Sequence, residues 1–145
     1  MAAQPAADAA AGKVPRPLIR VVAGALFDAA GRILIADRPA GKHMAGRWEF
    51  PGGKIAPGEG DEQALQRELS EELGVEVLAA RHFLTLTHGY PDRIVELSMW
   101  IVEQYRGEPR ALDGQRLKWV AVERLLEEDI LEADRPFIEA LLARP

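Results

Sequence analysis

Short apolar runs of strand length alternate with Gly, Pro and Asp punctuation along most of this chain. Residues 19–27, rich in Val, Leu and Ala, read as a strand; Asp28-Ala29-Ala30-Gly31 turns the chain, and residues 33–36 return as a second strand. Residues 38–47 form a loop broken by Pro39, Gly41 and Gly46. A short extended piece, Trp48-Glu49-Phe50, then enters a loop built on Pro51-Gly52-Gly53-Lys54 and Pro57-Gly58-Glu59-Gly60. The period next changes from two to 3.6: Leu65, Leu69 and Leu73 recur at i, i+4, i+8, Asp61 and Glu62 suit a first helical turn, and Gly74 suits a left-handed stop. Residues 75–87 read as a strand bent near Ala79-Ala80, Gly89-Tyr90-Pro91-Asp92 as a turn, and residues 94–104 as another strand. Loops at Gly107-Glu108-Pro109 and Asp113-Gly114-Gln115 lead to a short strand at 117–122. Helices are expected at 122–127 and 135–142, the second capped by Asp134. This order predicts an α/β domain with a mixed sheet between helices.

Composition narrows the picture without changing it. A chain of 145 residues with 48% hydrophobic content supports one globular domain, expected at residues 18–145. Seven of the first twelve residues are Ala, and Pro5, Pro15 and Pro17 oppose a helix, so residues 1–17 are expected to form a disordered tail and not a signal peptide. The net charge of -5 argues against binding along a nucleic-acid polymer, which relies on basic surface. Absence of cysteine excludes disulfides and thiol catalysis, and no apolar run approaches a membrane span. A cytoplasmic protein, monomeric or weakly dimeric, is expected.

The helix of Leu65, Leu69 and Leu73 carries the chemistry. At about 100° per residue, Glu68, Glu71 and Glu72 fall within roughly a 100° arc beside the apolar stripe. Like charges so placed repel. A divalent cation reverses that cost, and an oxygen-only donor set suits a hard ion, Mg2+ or Mn2+. The glycine loop before the helix can bring a carbonyl to a metal or amides to a phosphate. An isolated E-x-x-E-E occurs on ordinary surface helices. The pattern G-x5-E-x7-R-E-L-S-E-E-L-G-V, residues 53–75, is far more restrictive.

That stretch resembles the Nudix box at all of its defining positions. The flanks Glu49-Phe50-Pro51-Gly52-Gly53-Lys54 and His43-Met44-Ala45-Gly46 resemble the MutT branch, whose members sanitise oxidised nucleotides. The similarity extends from about residue 20 to residue 142. It implies an α/β/α sandwich and metal-dependent hydrolysis of a nucleoside diphosphate linked to another group. It also implies Glu68, Glu71 and Glu72 as metal ligands with the Gly52 carbonyl as a fourth. Arg67 would pair with Glu59 to hold the loop against the helix. Asp113 corresponds to a glutamate in MutT relatives, and being one methylene shorter it reaches the metal directly or through water, or serves as a turn residue before Gly114. One of the glutamates or Asp113 accepts the proton of the attacking water, and the choice stays open.

On the substrate side, Lys54 can reach a phosphate as a point charge, and Arg38 and Arg93 are further candidates for nucleotide contact. Phe50 and Tyr90 are candidates for a wall of a base pocket. His43, His82 and His88 show no metal spacing. Asp134 stands where MutT relatives carry the Asn that reads the base, whereas the related CTP pyrophosphohydrolases resemble this chain in having Asp. An ionised carboxylate only accepts hydrogen bonds, so it suits the cytosine amine and repels O6 of oxidised guanine unless protonated. The first expectation is a nucleoside triphosphate pyrophosphohydrolase acting on 8-oxo-dGTP. The alternatives are a (d)CTP or 5-methyl-CTP pyrophosphohydrolase and a non-catalytic nucleotide-binding module.

Overall fold

The structure, a computed structural model, describes residues 15–144. Of the tail expected at residues 1–17, residues 1–14 lie outside them. Strands β1 (Leu18–Leu26) and β2 (Ile33–Asp37) are joined by the predicted turn. There the Asp28 carboxylate accepts the N–H groups of Ala30 and Arg32 at 3.0 and 2.8 Å, an Asx-type turn that explains the aspartate. Strands β3 (Trp48–Glu49) and β4 (Gly52–Lys54) precede helix α1 (Asp61–Leu73). The long hairpin β5 (Glu76–Gly89) and β6 (Ile94–Arg106) follows, then β7 (Leu117–Val120) and helix α2 (Arg135–Ala143).

The strands make two sheets. One is mixed, in the order β4-β1-β6-β5, with β1 and β6 parallel; the other is antiparallel, in the order β3-β2-β7. The expected mixed sheet is therefore present, and an antiparallel partner accompanies it. Successive residues of β1 alternate between two cores, as a period of two requires. Val22 and Leu26 face Leu65, Leu69 and Leu73 of α1, whereas Ala23 and Ala25 face the core that holds Phe50, Met99 and Phe137 of α2. Helices thus cover both sides of the strands.

Several elements differ from their sequence reading. Gly52–Lys54, expected as loop, is a strand paired antiparallel with Val21–Ala23 of β1. Residues 122–127 form a 3-10 helix, and β7 stops at Val120. The bend expected near Ala79-Ala80 is present as register shifts between Val77 and Ala80. Among the described residues no helix is long and apolar enough to cross a membrane.

Candidate active site

Two adjoining cavities share Arg38, Glu49 and Lys54, and only the first is lined by α1. One, of about 440 Å³, is lined by Gly52, Glu68, Glu72 and Asp113, with Lys42 at its edge. The other, of about 500 Å³, is lined by His43, Met44, Tyr90, Arg93 and Asp134. A larger opening of about 810 Å³ around Tyr105 and Trp119 includes no residue of α1 or of the glycine loop.

Local sequence explains how the first cavity is built. Helix α1 starts after Gly60, whose N–H donates to the Gln63 side chain at 3.4 Å, and ends at Gly74 with φ +70. Its buried residues are Ala64, Leu65, Leu69 and Leu73, the expected stripe with Ala64 added. This fixes Glu68 and Glu72 at the edge of the core. Gly52 is sterically required: a Cβ there would overlap the Val22 carbonyl, whereas at Gly53 it would meet only the end of the Glu68 side chain. Asp113 arrives from the far side, on a loop bonded to the C-terminal end of the helix. There Leu112 N–H and the Gln115 side-chain amide both donate to the Glu72 carbonyl, at 3.1 and 3.2 Å.

Arg67 holds the glycine loop. It donates through Nε and Nη2 to both oxygens of Glu59, at 2.7 and 2.9 Å, and through Nη2 to the Lys54 carbonyl at 3.1 Å. Glu59 also accepts the Ala56 N–H, and these bonds hold its carboxyl down to about 2. The Arg67 guanidinium is correspondingly held above its usual range by Glu59 and Glu68. It also reaches Glu68 at 3.0 Å and Glu71 at 3.4 Å.

The three helix carboxylates are not equivalent. Glu71 is 61% exposed, faces Arg67 and lines neither cavity. Glu68 and Glu72 face the cleft together. Burial pushes Glu72 up to about 8, with Glu68, Glu49 and Asp113 adding repulsion. Among the described residues, no three acidic or histidine side chains close on a common point. The donor set of Glu68, Glu72, Asp113 and the Gly52 backbone is all oxygen, and the crowding that raises Glu72 is what a hard cation relieves. These residues therefore fit a divalent metal in their chemistry.

In the second cavity Asp134 is 5% exposed. Its side chain does not cap α2, as the sequence suggests; Oδ2 accepts the Phe50 N–H at 3.1 Å instead. Burial, reinforced by Glu49 and opposed by Phe50 N–H and Arg38, pushes its carboxyl up to about 7. Phe50 is not on the cavity wall. It is 3% exposed and packs edge-on against Phe137 with ring centroids 4.9 Å apart. Its backbone, and not its ring, serves the site. Tyr90 does line the cavity, with the Arg93 guanidinium 4.2 Å from its ring centre. Arg38 donates to Glu49 at 3.1 Å and to the His43 carbonyl at 3.1 Å, at the junction of the two cavities.

The structure thus brings together Gly52, Glu68, Glu72, Asp113, Lys54, Arg38, Arg93 and Asp134, with Arg67 and Glu59 alongside. Glu71 and Phe50 stay out. Glu49 and Lys42 enter without having been singled out in the sequence. Glu49, half-buried and raised above the usual carboxylate range by desolvation, sits in both cavities.

Known proteins resemble this chain in sequence and fold. The profile of the NUDIX domain family matches residues 17–141. The CTP pyrophosphohydrolase of Escherichia coli (strain K12) is 40% identical over 126 residues, 87% of this chain and 93% of that protein. The 8-oxo-dGTP diphosphatase of the same organism is 38% identical over 123 residues, 85% and 95% of the two chains. The solution structure of the E. coli ORF135 protein matches with a TM-score of 0.79 at 39% identity, covering 88% of this chain and 91% of that one.

Proposed function

The chain belongs to the NUDIX family of hydrolases, and we propose that it converts 8-oxo-dGTP to the monophosphate and pyrophosphate with Mg2+ as its cation. The observation that carries this reading is the junction at Arg38 and Glu49. It joins a cleft of oxygen donors to a cavity with one buried carboxyl on its wall and an arginine-stacked tyrosine at its mouth.

In this proposal Glu68, Glu72, Asp113 and the Gly52 carbonyl hold the cation. A bound divalent ion neutralises phosphate oxygens and lowers the pKa of a bound water. Lys54, with Lys42 across the cleft, faces the remaining phosphate charge. Arg67 acts through Glu59, keeping the glycine loop and Glu68 in register. Glu71 pairs with Arg67 at 3.4 Å on the solvent side. Tyr90 and Arg93 offer a flat face to the base.

Asp134 decides the base. At about 7 its carboxyl exists in both protonation states near neutrality. The neutral form donates to a carbonyl such as O6, so an aspartate here is compatible with oxidised guanine. The ionised form favours the cytosine amine. A second reading, a CTP pyrophosphohydrolase, therefore rests on this same residue and on the likeness to the relative of that name. We place the enzyme in the cytoplasm, as a monomer or weak dimer.

A panel of 8-oxo-dGTP, dGTP, CTP and 5-methyl-CTP with Mg2+ and a pyrophosphate assay tests the assignment. Fastest turnover per unit KM is expected for 8-oxo-dGTP. Preference for CTP transfers the assignment to the second reading, and binding with no pyrophosphate released from any of the four overturns both.

A further inference from the structure

The chain enters β1 through Pro15-Arg16-Pro17. Pro15 fixes its own φ, and Pro17 keeps residue 16 out of the helical region. Arg16 is therefore extended before it makes any contact, which lowers the entropy lost on ordering it. Its Nη1 donates to the Tyr90 carbonyl at 2.9 Å. The next carbonyl, of Pro17, accepts the Ile94 N–H at 2.9 Å, continuing the pairing of β1 with β6. These two bonds bracket the tip of the β5–β6 hairpin, residues 90–93.

Within that tip Tyr90 N–H donates to the Arg93 carbonyl at 2.7 Å, but the return bond from Arg93 N–H to the Tyr90 carbonyl is long, 3.4 Å. The Arg16 guanidinium is the nearer donor to that carbonyl, and its charge strengthens the bond. Gly89 leaves it room: a Cβ there would stand 3.3 Å from Arg16 Nη1. The Tyr90 ring is held in turn by Arg93 at 4.2 Å on its face and by His88 edge-on at 4.7 Å. Tyr90 and Arg93 line the second cavity, and Arg16 does not.

We propose that Arg16 is a positioning residue for nucleobase recognition: by holding the Tyr90 carbonyl it fixes the hairpin tip that carries the aromatic wall of the second cavity. The inference rests on that cavity being the base site. It assigns a function to the segment just before β1, which the sequence alone assigns to a disordered tail.

The test compares full-length Arg16→Ala, Arg16→Lys and Tyr90→Ala with the unaltered protein. It reads kcat and KM for 8-oxo-dGTP and CTP, and inhibition by 8-oxo-dGMP, CMP and pyrophosphate. For Arg16→Ala, KM and the monophosphate inhibition constants are expected to rise about 3- to 10-fold, the range of one hydrogen bond. kcat and the pyrophosphate constant should stay within about twofold. Arg16→Lys should recover most of the loss. A purely structural role would move the pyrophosphate constant as well, and that result overturns the inference. So does an unchanged KM in Arg16→Ala when Tyr90→Ala raises it, with the base site left standing. An inert Tyr90→Ala removes the base site itself and the inference with it.

Discussion

Asp134 accepts the backbone N–H of Phe50 through Oδ2 at 3.1 Å, so the start of α2 and the strand that feeds the glycine loop meet at one buried carboxyl. The carboxyl lies up to about 7, above its ordinary 3.8, because burial disfavours its charge. Its neutral form is the one the fold prefers. The associated stability is fully present below pH 3.8 and is lost as the pH rises through about 7. The full effect is no more than about 4 kcal/mol, at about 1.4 kcal/mol per unit of pKa. Asp134→Asn should flatten the fall in urea stability between pH 5 and pH 8; an equally steep fall in the variant would assign it to another group.

The same titration predicts specificity. The ratio of kcat/KM for 8-oxo-dGTP over CTP should decline from pH 6 to pH 8 in the unaltered protein, as the donor form of Asp134 disappears. In Asp134→Asn, whose amide always donates, the ratio should be flat with pH. Parallel profiles for the two proteins would remove Asp134 from base reading.

Glu72→Gln should lower kcat by two orders of magnitude or more, about the loss of a metal-bound charge in the reacting geometry. Its melting temperature at pH 7 should change little, because Glu72, raised to about 8, is already uncharged there and glutamine keeps a neutral partner for Glu68. Near-normal turnover in the folded variant would remove Glu72 from the ligand set.

Mg2+ should expel a proton from the Glu68–Glu72 pair at pH 7, below the value of about 8 to which Glu72 is raised. Calorimetric titration in two buffers of different ionisation heat measures this release. The release should vanish above pH 9. Hydrolysis persisting in EDTA would falsify the metal dependence.

Arg67→Lys keeps the charge but loses the two-pronged contact with Glu59. Activity should fall about 10- to 100-fold, as for partners that orient metal ligands. Glu59→Gln should cost a similar amount, and the double variant little more than either alone. Additive losses would show that the two side chains act separately.

Much of this was legible in the sequence because it is locally punctuated. Helix α1 carries its own start, stripe and stop, and the Asp28 turn and the bend at Ala79-Ala80 are written in a few adjacent residues. What failed to show depends on distant partners. Gly52–Lys54 is a strand only because β1 lies beside it, and glycines carry no strand signal of their own. The second sheet needs Ile33–Ala36 to meet Leu117–Val120 from the far end of the chain. Asp134 has the look of a cap, but the Phe50 N–H, 84 positions away, takes its oxygen. Lys42 belongs to no spacing pattern, and Glu49 stands in the MutT-like flank with no role assigned to it; only folding brings the two to the cleft.

Gly52 divides the molecule's capacity for change. Where it meets the backbone of β1, not one added carbon fits, so the hydrolytic half must be inherited as a block. The opposite wall is assembled from side chains, with Met44 and Tyr90 on separate loops and Asp134 at the start of α2. A lineage carrying this chain can exchange the base it reads by rewriting those loops, while the machinery that cuts the phosphate chain stays the same.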